Sequence, residues 1–223
     1  MNNLKRREVA FFGKITAGVT HEINNILAII QESSGLMEDI LEITDNNAFP
    51  HKDKFIKSLN RVNGQIQRGI DIVARLNWFA HSPDHCPANL DLNEITEQMA
   101  LLASRFARLK NIVLESDPSD PPLNIKSDPI WLIMALFESI EILLGVIDSG
   151  GKIILSSQKK QNRCVLSVGC ENTDLSEEDA LDKIPSTDRW TSLQETMACI
   201  GGTATTFGRY PQILLYLPES IDG

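Results

Sequence analysis

The chain lacks an apolar run long enough to cross a bilayer: its longest, Ile130 to Phe137, is eight residues, against the ~20 that a spanning helix needs. No secretory leader is expected from Met1-Asn2-Asn3-Leu4-Lys5-Arg6-Arg7, which opens onto an amphipathic pattern and not an apolar core. Basic residues are short in supply, 21 Lys+Arg against 30 Asp+Glu. The net charge of -9 argues against nucleic acid or an anionic membrane as the main partner. Four cysteines, Cys86, Cys164, Cys170 and Cys199, form no CxxC pair and read as reduced thiols of a cytoplasmic protein. His81, His85 and Cys86 sit in a proline-bearing stretch with no helical frame and no evident fourth ligand, so they are not read as a metal site.

What is present suffices for one large domain or two small ones, at 223 residues with 42% hydrophobic and 23% charged side chains. From about residue 4 to 44 the apolar positions Phe12, Ile15, Val19, Ile23, Ile26, Ile30, Met37 and Ile40 recur at gaps close to three and four. That is a helix with one buried stripe. Turn formers at 44–50 end it. A second helix is expected over 52–80, with Phe55, Leu59, Val62, Ile66, Ile70, Val73 and Leu76 on one side. Two long helices joined by a short turn make an antiparallel hairpin. Such a hairpin cannot cover both stripes alone, and dimerisation into a four-helix bundle is the simplest completion.

Beyond His81 to Pro87 the pattern changes. A helix over 93–110, a short strand at 112–115, a proline-bearing loop at 117–122 and a helix opened by Asp128-Pro129 follow in order. Residues 152–157 and 163–169 read as a β-hairpin, 189–200 as a helix closed by Gly201-Gly202, and 203–207 and 212–217 as strands. The expected architecture is α+β: a helical hairpin over 1–82, a linker at 83–91, and an α/β sandwich over 92–223 with helices on one face of a mixed sheet.

At 100° per residue His21 lies about 200° from Val19 and Ile23, off the apolar stripe. Lys14, Gly18, Asn25 and Glu32 share that side. Glu22 is placed to accept the Nδ1 proton and favour a nucleophilic Nε2. Asn25, one turn on, is placed to bond an incoming group or a water, and Gly18, one turn back, leaves room for a partner.

Residues 12–28, Phe-Gly-Lys-Ile-Thr-Ala-Gly-Val-Thr-His-Glu-Ile-Asn-Asn-Ile-Leu-Ala, resemble the phosphoacceptor box of sensor histidine kinases. In that family the hairpin carries a histidine phosphorylated on Nε2, an acid acting as general base, and a fourth-position amide supporting kinase or phosphatase chemistry. The resemblance implies His21, Glu22 and Asn25 in those roles, with Lys14 and Gly18 in a docking surface. One departure is Ile26, where the family commonly has proline. Its presence removes a helix kink.

The remainder is similar to the ATPase domain of the same family, from Asn89-Leu90-Asp91-Leu92-Asn93-Glu94-Ile95 onward. The nucleotide motifs do not follow. Glu138 and Ile142 stand where the resemblance places asparagines that hold magnesium and phosphates. The stretch Gly169 to Asp174 lacks the glycines of an Asp-x-Gly-x-Gly motif, and Ser186 to Ser192 offers no second glycine motif. The resemblance therefore implies a degenerate domain without bound cofactor. The expected function is a histidine phosphotransferase of a phosphorelay, moving a phosphoryl group between receiver-domain aspartates and His21, with magnesium supplied by the receiver. A divergent ATP-dependent kinase is the alternative, as is a non-catalytic module that binds a receiver or a kinase. Expected partners are receiver domains and a second copy of the chain.

Overall fold

The computed structural model describes residues 2–43, 51–160, 163–171, 183–206 and 211–218. The chain divides into two compact units, one of Phe12–Phe79 and one of Met1–Phe11 with Ala80–Gly223.

The first unit is built from two long helices, α1 (Asn2–Glu42) and α2 (Lys52–His81). The turn expected at 44–50 lies outside the described residues. Along α1 the periodic positions fall inside: Ile15, Val19, Ile26 and Ile40 are buried, and Ile23, Ile30 and Met37 half-buried. On α2 the stripe read from sequence is displaced. The covered face runs through Ser58, Val62, Gln65, Gly69, Ile72 and Phe79, whereas Leu59, Ile66, Ile70 and Val73 are exposed. Both sets recur at helical spacing, and periodicity alone cannot rank two neighbouring stripes. Gly69 lies on the packed face, where a Cβ would stand 3.8 Å from Ile26 Cγ2. Phe12 stacks on Phe79 with ring centroids 4.7 Å apart.

The second unit is an α/β sandwich. A five-stranded sheet has the order β2 (Val113–Asp117), β4 (Lys152–Lys160), β5 (Arg163–Glu171), β7 (Gln212–Tyr216), β6 (Thr203–Thr206). Only β2 and β4 run parallel; the other pairs are antiparallel. Ile153, Leu155, Leu166, Val168, Ile213 and Leu215 share one buried face, by register and alternation. Helices α3 (Leu92–Arg108), α4 (Pro129–Val146) and α5 (Asp188–Cys199) complete this α+β fold. Asn93 on α3 accepts a hydrogen bond from Ser157 of β4 at 3.2 Å, tying helix to sheet.

The segment read as a linker over 83–91 is partly regular structure. Ala88–Asp91 forms strand β1, paired antiparallel with β3 (Asn124–Ser127) in a separate two-stranded ribbon. The four-residue strand β3 has no counterpart in the sequence reading, being too short to show alternation. Asp91 caps α3 by accepting from Asn93 N at 2.8 Å. Asp128 caps α4 from Ile130 N and Trp131 N, with Pro129 at the first helical position.

Helix α4 is apolar almost all round, with Leu132, Ile133, Ala135, Leu136, Ile140 and Leu143 fully buried. By length and composition it would suffice to span a membrane. Yet 72% of it is buried inside this unit, which is the environment of a core helix.

Candidate functional site

The site begins with α1, whose uninterrupted helix displays consecutive residues 100° apart. His21 and Asn25, one turn apart, are both exposed; Lys14 is half-buried. Gly18 differs from the expectation. It is buried, so it does not open a landing surface beside His21. The physical reason is that residue 18 lies 100° from Val19, itself buried, so it falls at the margin of the packed face.

Glu22 is turned the other way. Its side chain retains only 12% exposure and ion-pairs with Arg68 of α2. A second cross-hairpin pair joins Arg61 to Glu32 at 3.2 Å, both largely exposed. The two pairs follow antiparallel geometry, the α1 number rising as the α2 number falls. Sequence reasoning missed Arg68, although a signal existed. Lys54, Arg61, Arg68 and Arg75 recur every seven residues on α2, which places four cations along one face.

In the α/β unit the residues at the expected nucleotide positions are otherwise engaged. Glu138 on α4 accepts from Arg7 Nη2 at 2.9 Å, from Ser192 Oγ at 2.7 Å and from Thr196 Oγ1 at 2.8 Å. Arg7 also donates to Ser192 O, to Thr196 Oγ1 and to Glu195 Oε2, all within 2.7 Å. Arg189 and Glu141 add another ion pair between α5 and α4. Ile142 is buried in the core. A carboxylate held by an arginine and an apolar side chain in the core offer no amide to a magnesium–triphosphate, so these two positions do not fit that ligand. Of the glycine-poor stretch at 169–174, residues 172–174 lie outside the described part. Residues 188–192 of the other stretch form the first turns of α5, capped by the Thr187 hydroxyl at 3.2 Å from Trp190 N.

The remaining candidates are also accounted for. His81 Nδ1 lies 2.7 Å from Asp84 Oδ2, and Cys86 Sγ donates to Asp128 Oδ2 at 2.9 Å. Among the described residues no group of three or more His, Cys, Asp or Glu side chains is arranged to hold a metal ion.

No protein-family model matches the chain, and no curated protein matches it in sequence. Solved structures do. The nucleotide-free catalytic domain of the histidine kinase ThkA is similar over 61% of this chain and 97% of that one, with 19% identity and a TM-score of 0.50. Full-length ShkA in complex with AMPPNP is similar over 93% of this chain and 46% of that one, with 16% identity and a TM-score of 0.52. ThkA in complex with the response regulator protein TrrA aligns over 96% of this chain and 64% of that one, with 17% identity and a TM-score of 0.48. The fold is thus an N-terminal helical region followed by an α/β sheet domain that matches in fold the catalytic domains of histidine kinases.

Proposed function

We propose that the chain is a histidine-kinase-like protein of two-component signalling in which His21 exchanges a phosphoryl group with the aspartate of a response-regulator receiver domain. The observation that carries the reading is the exposed imidazole of His21, presented by the outer side of a helical hairpin with Asn25 beside it. In the transfer, the Nε2 lone pair attacks phosphorus as the aspartyl P–O bond breaks, and the electron pair leaves with the receiver carboxylate. The proton on Nδ1 stays in place, so the ring becomes a phosphoimidazolium until a second receiver takes the group. Magnesium, in this reading, comes with the receiver. Catalysis then rests on alignment and charge stabilisation.

The source of the phosphoryl group separates two readings. The similar structures are kinases, one of them in complex with AMPPNP, and this favours a divergent ATP-dependent kinase. The side chains at Glu138 and Ile142 favour a relay protein that receives its phosphoryl group from a receiver, because neither serves a bound triphosphate. The exposed Leu59, Ile66, Ile70 and Val73 support the further proposal that the hairpin pairs with a second copy of the chain.

One experiment separates the kinase reading from the relay reading. The chain is incubated with radiolabelled ATP and magnesium, and separately with a panel of receivers pre-phosphorylated on aspartate; each arm is repeated with His21→Ala. Label from receivers alone, abolished in His21→Ala, supports the relay. Label from ATP alone supports the kinase. Equal labelling of wild type and His21→Ala in both arms removes the proposal.

A further inference from the structure

We infer that the face of the α/β unit between α4 and α5 is a docking groove for a helix that carries an arginine and, one turn on, a phenylalanine. Residues 5–11 of the chain itself fill it in this structure. The opening turns of α1 are then a built-in competitor for a partner helix of the same chemistry. Met1–Phe11 belong to the α/β unit, so all these contacts lie within one compact unit. Arg7 and Phe11 are the deep anchors, whereas Lys5, Arg6, Val9 and Ala10 are exposed. The Arg7 guanidinium reaches Glu138 of α4 and the Ser192 carbonyl, Thr196 hydroxyl and Glu195 carboxylate of α5. Phe11 is 6% exposed. Its ring centroid lies 5.3 Å from that of Phe137, which meets Phe106 edge-on. Two buried anchors ringed by exposed residues is how a helix is held in another protein's groove. A helix of the core is held differently, as α4 shows by burying nearly every side chain.

The groove selects by charge as well as by shape. Glu138 is 14% exposed and is fixed by the Ser192 and Thr196 hydroxyls, so its carboxylate is already set for an incoming cation. Glu141, one turn along α4, is engaged by Arg189, and Glu195, at 55% exposure, extends the acidic rim. Acceptors on two helices suit the planar fork of a guanidinium better than the point charge of an ammonium. The same acids repel a phosphate, so this face recognises a basic helix. Tethering gives residues 5–11 an effective concentration on the order of millimolar, which keeps the groove closed to weak competitors.

The test uses the full chain and a fluorescent peptide with the sequence of residues 2–13, followed by anisotropy. The variant Arg7→Ala with Phe11→Ala, its own anchors removed, is expected to bind the peptide about a hundredfold more tightly than wild type does. A peptide carrying Arg7→Lys should bind that variant at least threefold more weakly. Adding Glu138→Gln to the variant should weaken peptide binding about tenfold while raising Tm, because the stranded carboxylate is gone. A purely structural role for Glu138 moves Tm alone. Hydrogen exchange of the unmodified chain supplies a readout that needs no variant. Amides of residues 8–11 should exchange at least a hundredfold faster than those of residues 132–143, as a segment held by two anchors opens before the core. Equal protection of the two stretches overturns the inference. So does a folded anchor-less variant that binds the peptide no better than wild type, or one whose affinity ignores Glu138→Gln or the lysine peptide.

Discussion

Replacing Arg7 by alanine is expected to destabilise the α/β unit far more than loss of an ordinary surface ion pair. Arg7 and Glu138 retain only 18% and 14% side-chain exposure, so water would solvate the carboxylate poorly once the guanidinium is gone. Removing one partner of a fully buried pair costs about 3–5 kcal/mol. Here the residual exposure and the two hydroxyl donors, Ser192 and Thr196, reduce that to about 2–3 kcal/mol. For a chain of this size such a loss lowers Tm by about 5–10 °C. Glu115→Ala breaks the Lys152–Glu115 pair, whose members are 30% and 54% exposed, and should cost far less, because water replaces an exposed partner. Differential scanning calorimetry and urea titration of Arg7→Ala, Glu115→Ala, Arg7→Met, Glu138→Leu and the Arg7→Met, Glu138→Leu double variant give the comparison. The double variant should be more stable than Arg7→Met alone, since the stranded carboxylate goes with its partner. Equal shifts for Arg7→Ala and Glu115→Ala, or a double variant as weak as the sum of its singles, would refute this electrostatic account.

Two further outcomes follow from local packing and burial. In Gly202→Ala the new Cβ would come within 2.7 Å of Tyr216 O and 2.6 Å of Met197 Cε; strand β6 must shift, at about 1–3 kcal/mol, and a urea midpoint equal to wild type would contradict that packing. Burial pushes the Cys170 thiol from 9.0 up to about 12, so above pH 9 the unfolded chain releases a proton that the folded one keeps. That thiol leaves stability untouched below pH 9 and lowers it between pH 9 and 12, by roughly 1 kcal/mol per pH unit. Urea titrations at pH 8 and 10.5 should show a smaller loss in Cys170→Ala than in wild type, and identical losses would remove the assignment.

Much of this architecture was legible from local pattern. The Phe12 to Ile40 periodicity marks α1 because a 3.6-residue repeat must bury one side. Asp128-Pro129 marks the start of α4 because a side-chain cap and a fixed φ act within two residues. Gly201, at φ +69°, marks the turn beyond α5. His21 was legible as exposed for the same geometric reason. The stretches that misled were those with little local signal. β3 has four residues, and 88–91 reads as linker until Asn124–Ser127 pairs with it.

What the sequence by itself determined is therefore the order and type of most elements and the outward face of His21, since these depend on interactions a few residues apart. The tertiary structure alone decided which of two stripes on α2 packs inward, that Gly18 is covered, that Glu22 belongs to Arg68, and that Arg7 closes on Glu138 across 131 residues of chain. Helical spacing confines a side chain to a face, but its partner is chosen by the element that folds against that face, and no local rule names that element.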